Sequence, residues 1–156
     1  MPAMFRWGRR PRGQALVEFA LVAPIVIVVI AAIIQFGMVF WAQNTLTQVV
    51  RDTGRWAATH QDCSTAKAVT DQAQAIAASS SLIGYSNTNF APTVTWDSAT
   101  CPKDNKTVNY VHVTATERVP TFFPGMEYLP LLGTCDATGC HMTLSSTAQF
   151  RMEPKP

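Results

Sequence analysis

The chain has 156 residues, enough for one small domain plus a separate apolar segment, and a formal charge of +2. That charge is unevenly placed. Arg6, Arg9, Arg10 and Arg12 precede Gly13 with no acid among them, which leaves the rest of the chain net acidic. Positive charge confined to one end beside a hydrophobic run excludes the basic folded face that nucleic-acid binding needs, so no nucleic-acid partner is expected.

From Phe19 to Val50 no residue is charged. The part from Phe19 to Trp41 would reach roughly 34 Å as a helix, enough to cross the hydrocarbon of a bilayer. The arginines before it, against only Arg51 and Arg55 soon after, orient the N-terminus to the cytoplasm and the body outward. A cleaved secretory signal competes with this reading, with Ile30-Ala31-Ala32 as a small-residue cleavage site. The apolar character nevertheless continues through Ile33, Ile34, Phe36, Met38, Val39, Phe40 and Trp41. Beyond it Leu46, Val49, Val50, Thr53, Trp56 and Ala57 recur at helical spacing, so one continuous helix is expected, apolar all round and then two-faced. Pro24 is tolerated in a membrane segment as a kink, and Gly37 offers close helix approach.

The opening of this helix reads Gly13-Gln14-Ala15-Leu16-Val17-Glu18-Phe19-Ala20, behind a basic leader and ahead of IIQFGMVFW. It resembles the prepilin-type processing site of the TadE-like pseudopilins of tight-adherence (Tad/Flp) pilus systems, and RDTGRWAA from Arg51 to Ala58 also looks like the family. The resemblance covers about a third of the chain. It implies cleavage between Gly13 and Gln14 by a membrane prepilin peptidase on the cytoplasmic side. It also implies that Glu18, with Phe19 beside it in the assembly and processing motif, pairs with the free amine of a neighbouring subunit. A carboxylate in a low-dielectric bundle needs a cation, and cleavage creates one at Gln14. The alternative is a Glu18 that reaches the interface with no partner. Gln14 departs from the aromatic residue or Met found there in many type IV pilins, which leaves N-methylation open.

The division expected is a leader over 1–13, a transmembrane helix over 14–41, its extension over 42–60 and an exported domain over 61–156. In that domain Ser64 could cap a second helix with a stripe of Ala66, Val69, Ala73, Ile76 and Ala77, stopping at Gly84. The period then becomes two, around Val94 and Trp96, then Val111, Val113 and Ala115, then Met142, Leu144, Ser146, Ala148 and Phe150. The fold class expected is α+β, with an antiparallel sheet of about three strands in unknown order. Val119 to Gly133 is too rich in Pro for a central strand and reads as a loop capping the core. Pro154 to Pro156 reads as a frayed tail.

The four cysteines all fall on the outward side, where an even count predicts disulfides. Of the three pairings possible, Cys63–Cys101 with Cys135–Cys140 is favoured, because the second pair is close in sequence and preceded by a glycine. Zinc at Cys135, Cys140 and His141 lacks a fourth ligand at the usual spacing, so no metal and no cofactor is expected. His60, His112 and His141 are scattered and no nucleophile stands with a base, so the chain is not expected to be an enzyme. The resemblance implies a minor pilin in pilus assembly at the bacterial cytoplasmic membrane, whether or not it enters the fibre. Its partners would be the prepilin peptidase, other pilins and pseudopilins, Tad secretion-platform proteins and the lipid bilayer. The competing class is a single-pass, membrane-anchored exported binding or enzymatic domain unrelated to pili.

Overall fold

The computed structural model describes residues 12–60, 66–83, 85–97, 110–121, 133–137 and 139–152. The element order is α1 (Arg12–Thr59), α2 (Ala66–Ser79), β1 (Phe90–Trp96), β2 (Tyr110–Pro120), β3 (Thr134–Asp136) and β4 (Gly139–Arg151). The class is α+β, as the sequence predicts. The chain forms two compact units that divide between Ile34 and Gln35.

In the first unit α1 carries Pro24 without ending, and its large apolar side chains are exposed, from Leu16 and Phe19 through Ile25, Val28 and Ile34. The whole helix passes as long and apolar enough to cross a membrane.

In the second unit α1 continues with a one-sided stripe. Ala42, Leu46, Val49, Val50, Thr53 and Ala57 are buried, at the three- and four-residue steps that place side chains on one face. Thr45 and Thr47 turn their hydroxyls onto the Trp41 and Gln43 carbonyls, at 3.0 and 2.8 Å, so neither adds an unmet polar group to the helix.

Helix α2 buries Val69, Ala73 and Ala77 and half-buries Ile76. It ends at Ser79, short of the expected Gly84. The hydroxyls of Ser79 and Ser80 bond back to the Ile76 and Ala77 carbonyls at 2.8 and 2.9 Å, and this local alternative closes the helix early. Ser64 and Gly84 lie outside the described residues, as do residues 1–11, 122–132 and 153–156 with the leader, most of the apolar segment and the tail.

The sheet is antiparallel throughout, in the order β1-β2-β4-β3. It has four strands rather than about three. The extra one, β3, is a three-residue exposed arm folded onto the start of β4, too short for any alternation to show in sequence. Strand β1 lies at an edge, which is what allows Pro92 inside it: an edge strand can lose a donor without breaking a ladder on both sides. The core-facing rungs are Trp96–Val111–Phe150, Val94–Val113–Ala148, Pro92–Ala115–Ser146 and Phe90–Glu117–Leu144. This face meets the α1 stripe and α2 in one apolar cluster of Leu46, Val49, Val50, Ala57, Val69, Ala73, Ala77, Leu82, Phe90, Val111, Val113 and Ala115. The opposite face is polar, with Thr93–Thr114–Thr147 forming one rung and a 3.0 Å hydroxyl contact between Thr114 and Thr147. Strand β2 continues to Pro120, so Val119 and Pro120 belong to it rather than to a loop.

Candidate assembly and processing site

The resemblance placed its motif at the start of α1, and the local structure there is weak for identifiable reasons. The helix begins at Arg12, with Gly13 next and no acid in its first turn. A basic residue at a helix N-terminus opposes the macrodipole, and Gly costs about 1 kcal/mol relative to Ala in a helix. The first-turn amides also lack intrahelical acceptors. The Gly13–Gln14 bond therefore sits in a first turn with little local support.

Nothing stands within 4 Å of where a Gly13 side chain would begin, and Gly13, Gln14, Glu18 and Phe19 are all exposed. Gln14 donates from Nε2 to Glu18 Oε1 at 3.2 Å, one turn on. Around this polar pair Leu16, Val17, Phe19, Leu21 and Val22 present apolar surface, Phe19 being 73% exposed. A patch of that size on a soluble surface would be a contact site, and on a helix of this length it is a surface for lipid or for other helices.

Further along α1 the structure adds a residue that spacing alone did not single out. Gly54 lies against the Phe150 ring of β4, and a Cβ at position 54 would overlap that ring. Gln43 Nε2 donates to the Ser145 carbonyl at 3.2 Å, and Ser146 reaches Thr47 at 3.5 Å. These polar contacts fix how α1 meets β4. The sequence holds no local signal for them, because the partners are separated by about a hundred residues of chain.

Cys135 and Cys140 face each other across the β3–β4 register and are joined in a disulfide, with Cα atoms 3.9 Å apart. Gly139 closes the turn between them at φ +122°, a conformation an L side chain rarely takes. Cys63 and Cys101 lie outside the described residues. The histidines are apart: His60 stacks on Trp56, His112 Nε2 meets Asp97 at 2.6 Å, and His141 Nδ1 lies 3.8 Å from Asp136. Among the described residues, no three His, Cys, Asp or Glu side chains stand where they could hold a metal ion together.

One polar residue in the core was missed by the sequence reading. Glu117 occupies the buried face of β2 in line with Val111, Val113, Ala115 and Val119, and is 0% exposed. Among the described residues neither carboxyl oxygen has a hydrogen-bond partner, and burial pushes its pKa up to about 7. The signal was present, since Glu117 falls on the same odd-numbered positions, but a charged residue read as the end of the apolar alternation.

Compared with known proteins, no curated protein and no solved structure matches the chain. The model of the TadE-like protein family matches residues 13–55. The match begins at Gly13, takes in Glu18, the apolar run and Gly54, and stops before α2 and the sheet. Over residues 13–55, then, the chain is similar to the TadE-like protein family.

Proposed function

We propose that the chain is a minor pilin or pseudopilin of a bacterial Tad/Flp type IV pilus system, anchored by α1 and acting in assembly rather than catalysis. The coarser part, a Tad pilus-related protein with a membrane anchor, follows from the TadE-like match and the membrane-length helix. The observation that carries the finer part is the placing of Gly13 and Glu18. Gly13 stands in the first turn of α1, and Glu18 lies just over one turn beyond it, within apolar surface.

The steps proposed are these. The peptidase opens the first turn and cuts after Gly13, which removes the arginine-rich leader and creates an ammonium at Gln14. Glu18, then the fifth residue of the mature chain, exchanges its bond with the Gln14 side chain for the ammonium of a neighbouring pilin. In hydrocarbon an ionised carboxylate is costly alone and is offset by a cation at hydrogen-bond distance. The N-terminus would remain on the cytoplasmic side and residues 61–156 outside, where the Cys135–Cys140 disulfide is chemically at home.

The test is to substitute Glu18 and follow partners. Glu18→Ala and Glu18→Gln should both still be cleaved, yet recover other pilins at least about tenfold less well on co-purification. Undiminished recovery with both variants would show that Glu18 only reaches the membrane interface and pairs with nothing.

A further inference from the structure

Most buried carboxylates are accompanied by a cation or by donors. Among the described residues Glu117 has neither, and the surrounding elements show why. On its own rung stand Phe90 of β1 and Leu144 of β4. The core-facing residues of β1 and of β4 on either side are Pro92, Val94, Met142 and Ser146, none of them titratable. Helix α1 brings Leu46, Val49, Val50, Thr53 and Ala57 to the core, with Arg51, Asp52 and Arg55 outside the buried stripe. Helix α2 brings Val69, Ala73 and Ala77, while Lys67 and Asp71 pair with each other in solvent. Tyr85, which packs on the cluster, gives its hydroxyl to the Gln74 carbonyl and Asn87. On the far face of the sheet Arg118 pairs with Asp136, with His141 nearby, and His112 pairs with Asp97. Among the described residues, then, no cation faces Glu117.

The strand beside it is built to give way. Phe90 and Ala91 are the end of an edge strand, paired with β2 on one side, and the Phe90 amide turns away from β2 to donate to the Ser86 carbonyl at 3.0 Å. They are held to β2 by the rungs to Glu117 and Thr116, by the Arg118 amide donating to the Asn89 carbonyl at 3.0 Å and by the Thr116 hydroxyl donating to the Ala91 carbonyl at 3.4 Å, while the Asn89 amide donates to the Ser86 carbonyl at 3.0 Å. Because Phe90 shares its rung with Glu117, moving this end uncovers one side of the carboxyl.

We propose that Glu117 is a proton-controlled latch: protonated, it lies sealed beneath Phe90, and ionised, it drives the Asn89–Ala91 end of β1 away from β2. The device is a property of the sheet and does not depend on pilus assembly. Its direction follows from linkage. A carboxyl that titrates about pH 7 when closed and near 4.5 when exposed binds more protons closed than open. Closure is therefore favoured in full below about pH 4.5, weakens through pH 7, and is constant above it.

The test uses the full chain in detergent micelles. Hydrogen-exchange protection of the Ala91 and Arg118 amides, corrected for the intrinsic pH dependence of exchange, should fall on the order of tens-fold from pH 5 to pH 8. Amides of Val113 and Ala148 on the central rungs should not follow. Glu117→Gln keeps the shape and should remove the pH dependence. Glu117→Leu needs no hydrogen-bond partner and should also keep the end closed at pH 8. An infrared band of a protonated carboxyl at pH 6, lost in Glu117→Gln, would identify the group directly. Wild-type protection that stays level across this range would overturn the proposal, and so would variants that retain the wild-type fall. Where neither variant folds, the wild-type profile at the Ala91 and Arg118 amides against the central rungs decides it.

Discussion

Helix α1 contains two apolar regions that solve the same problem differently. Between Leu16 and Trp41 most of the large hydrophobic side chains are exposed, Leu21 at 67%. From Ala42 to Ala57 the apolar residues narrow to one stripe, and the sheet and α2 cover it, leaving Leu46 at 0%. Composition already separates the two, since polar and charged residues that are rare up to Trp41 make up over half of Ala42 to Ala57. Patterning separates them as well: an all-round apolar surface needs an external apolar medium, whereas a stripe needs one partner face. The first region therefore depends on membrane or neighbouring helices, and the second on the sheet carried by the same chain.

The comparison is sharpest when leucine is truncated in each region. Leu46→Ala should leave a cavity in the core and lower the unfolding free energy by about 2–5 kcal/mol, read as a fall in the denaturant midpoint at unchanged slope. Leu21→Ala, measured in the same micelles, should change it by less than about 0.5 kcal/mol. A large effect at Leu21 would mean that the first region is covered by the chain itself.

A smaller effect is expected at Gly54, where the two sides of the core come closest. Gly54→Ala gains helix propensity of about 1 kcal/mol but drives a methyl into the Phe150 ring. The overlap should win, for a net loss of about 1–2 kcal/mol. Phe150→Leu should relieve the clash in the double variant and make the two substitutions non-additive. Additive losses would show that the ring does not rest on position 54.

The legible parts of this protein were those whose signals are local and repeated. The length of α1 follows from an uncharged run, and its change of character at Ala42 follows from spacing. The three longer strands showed as alternation, and Gly13 with Glu18 showed as a motif. What escaped was nonlocal or broke a pattern. The contact of Gly54 with Phe150 joins distant positions, and β3 is three exposed residues held by pairing. The serines after α2 stopped it before its expected glycine, through bonds to their own helix rather than through backbone freedom. Glu117 was passed over because polarity was taken as a sign of exposure, and here the strand's period, not the residue's charge, decides which way it points.

The account's central claim is that α1 begins its working life at Gln14, with Glu18 poised one turn in. The most direct measurement is N-terminal sequencing of the protein extracted from its native membrane, with and without the prepilin peptidase. The account predicts Gln14 as the first residue when the peptidase is present and the uncut leader when it is absent. A terminus at Ile33, or the same terminus in both strains, would contradict it.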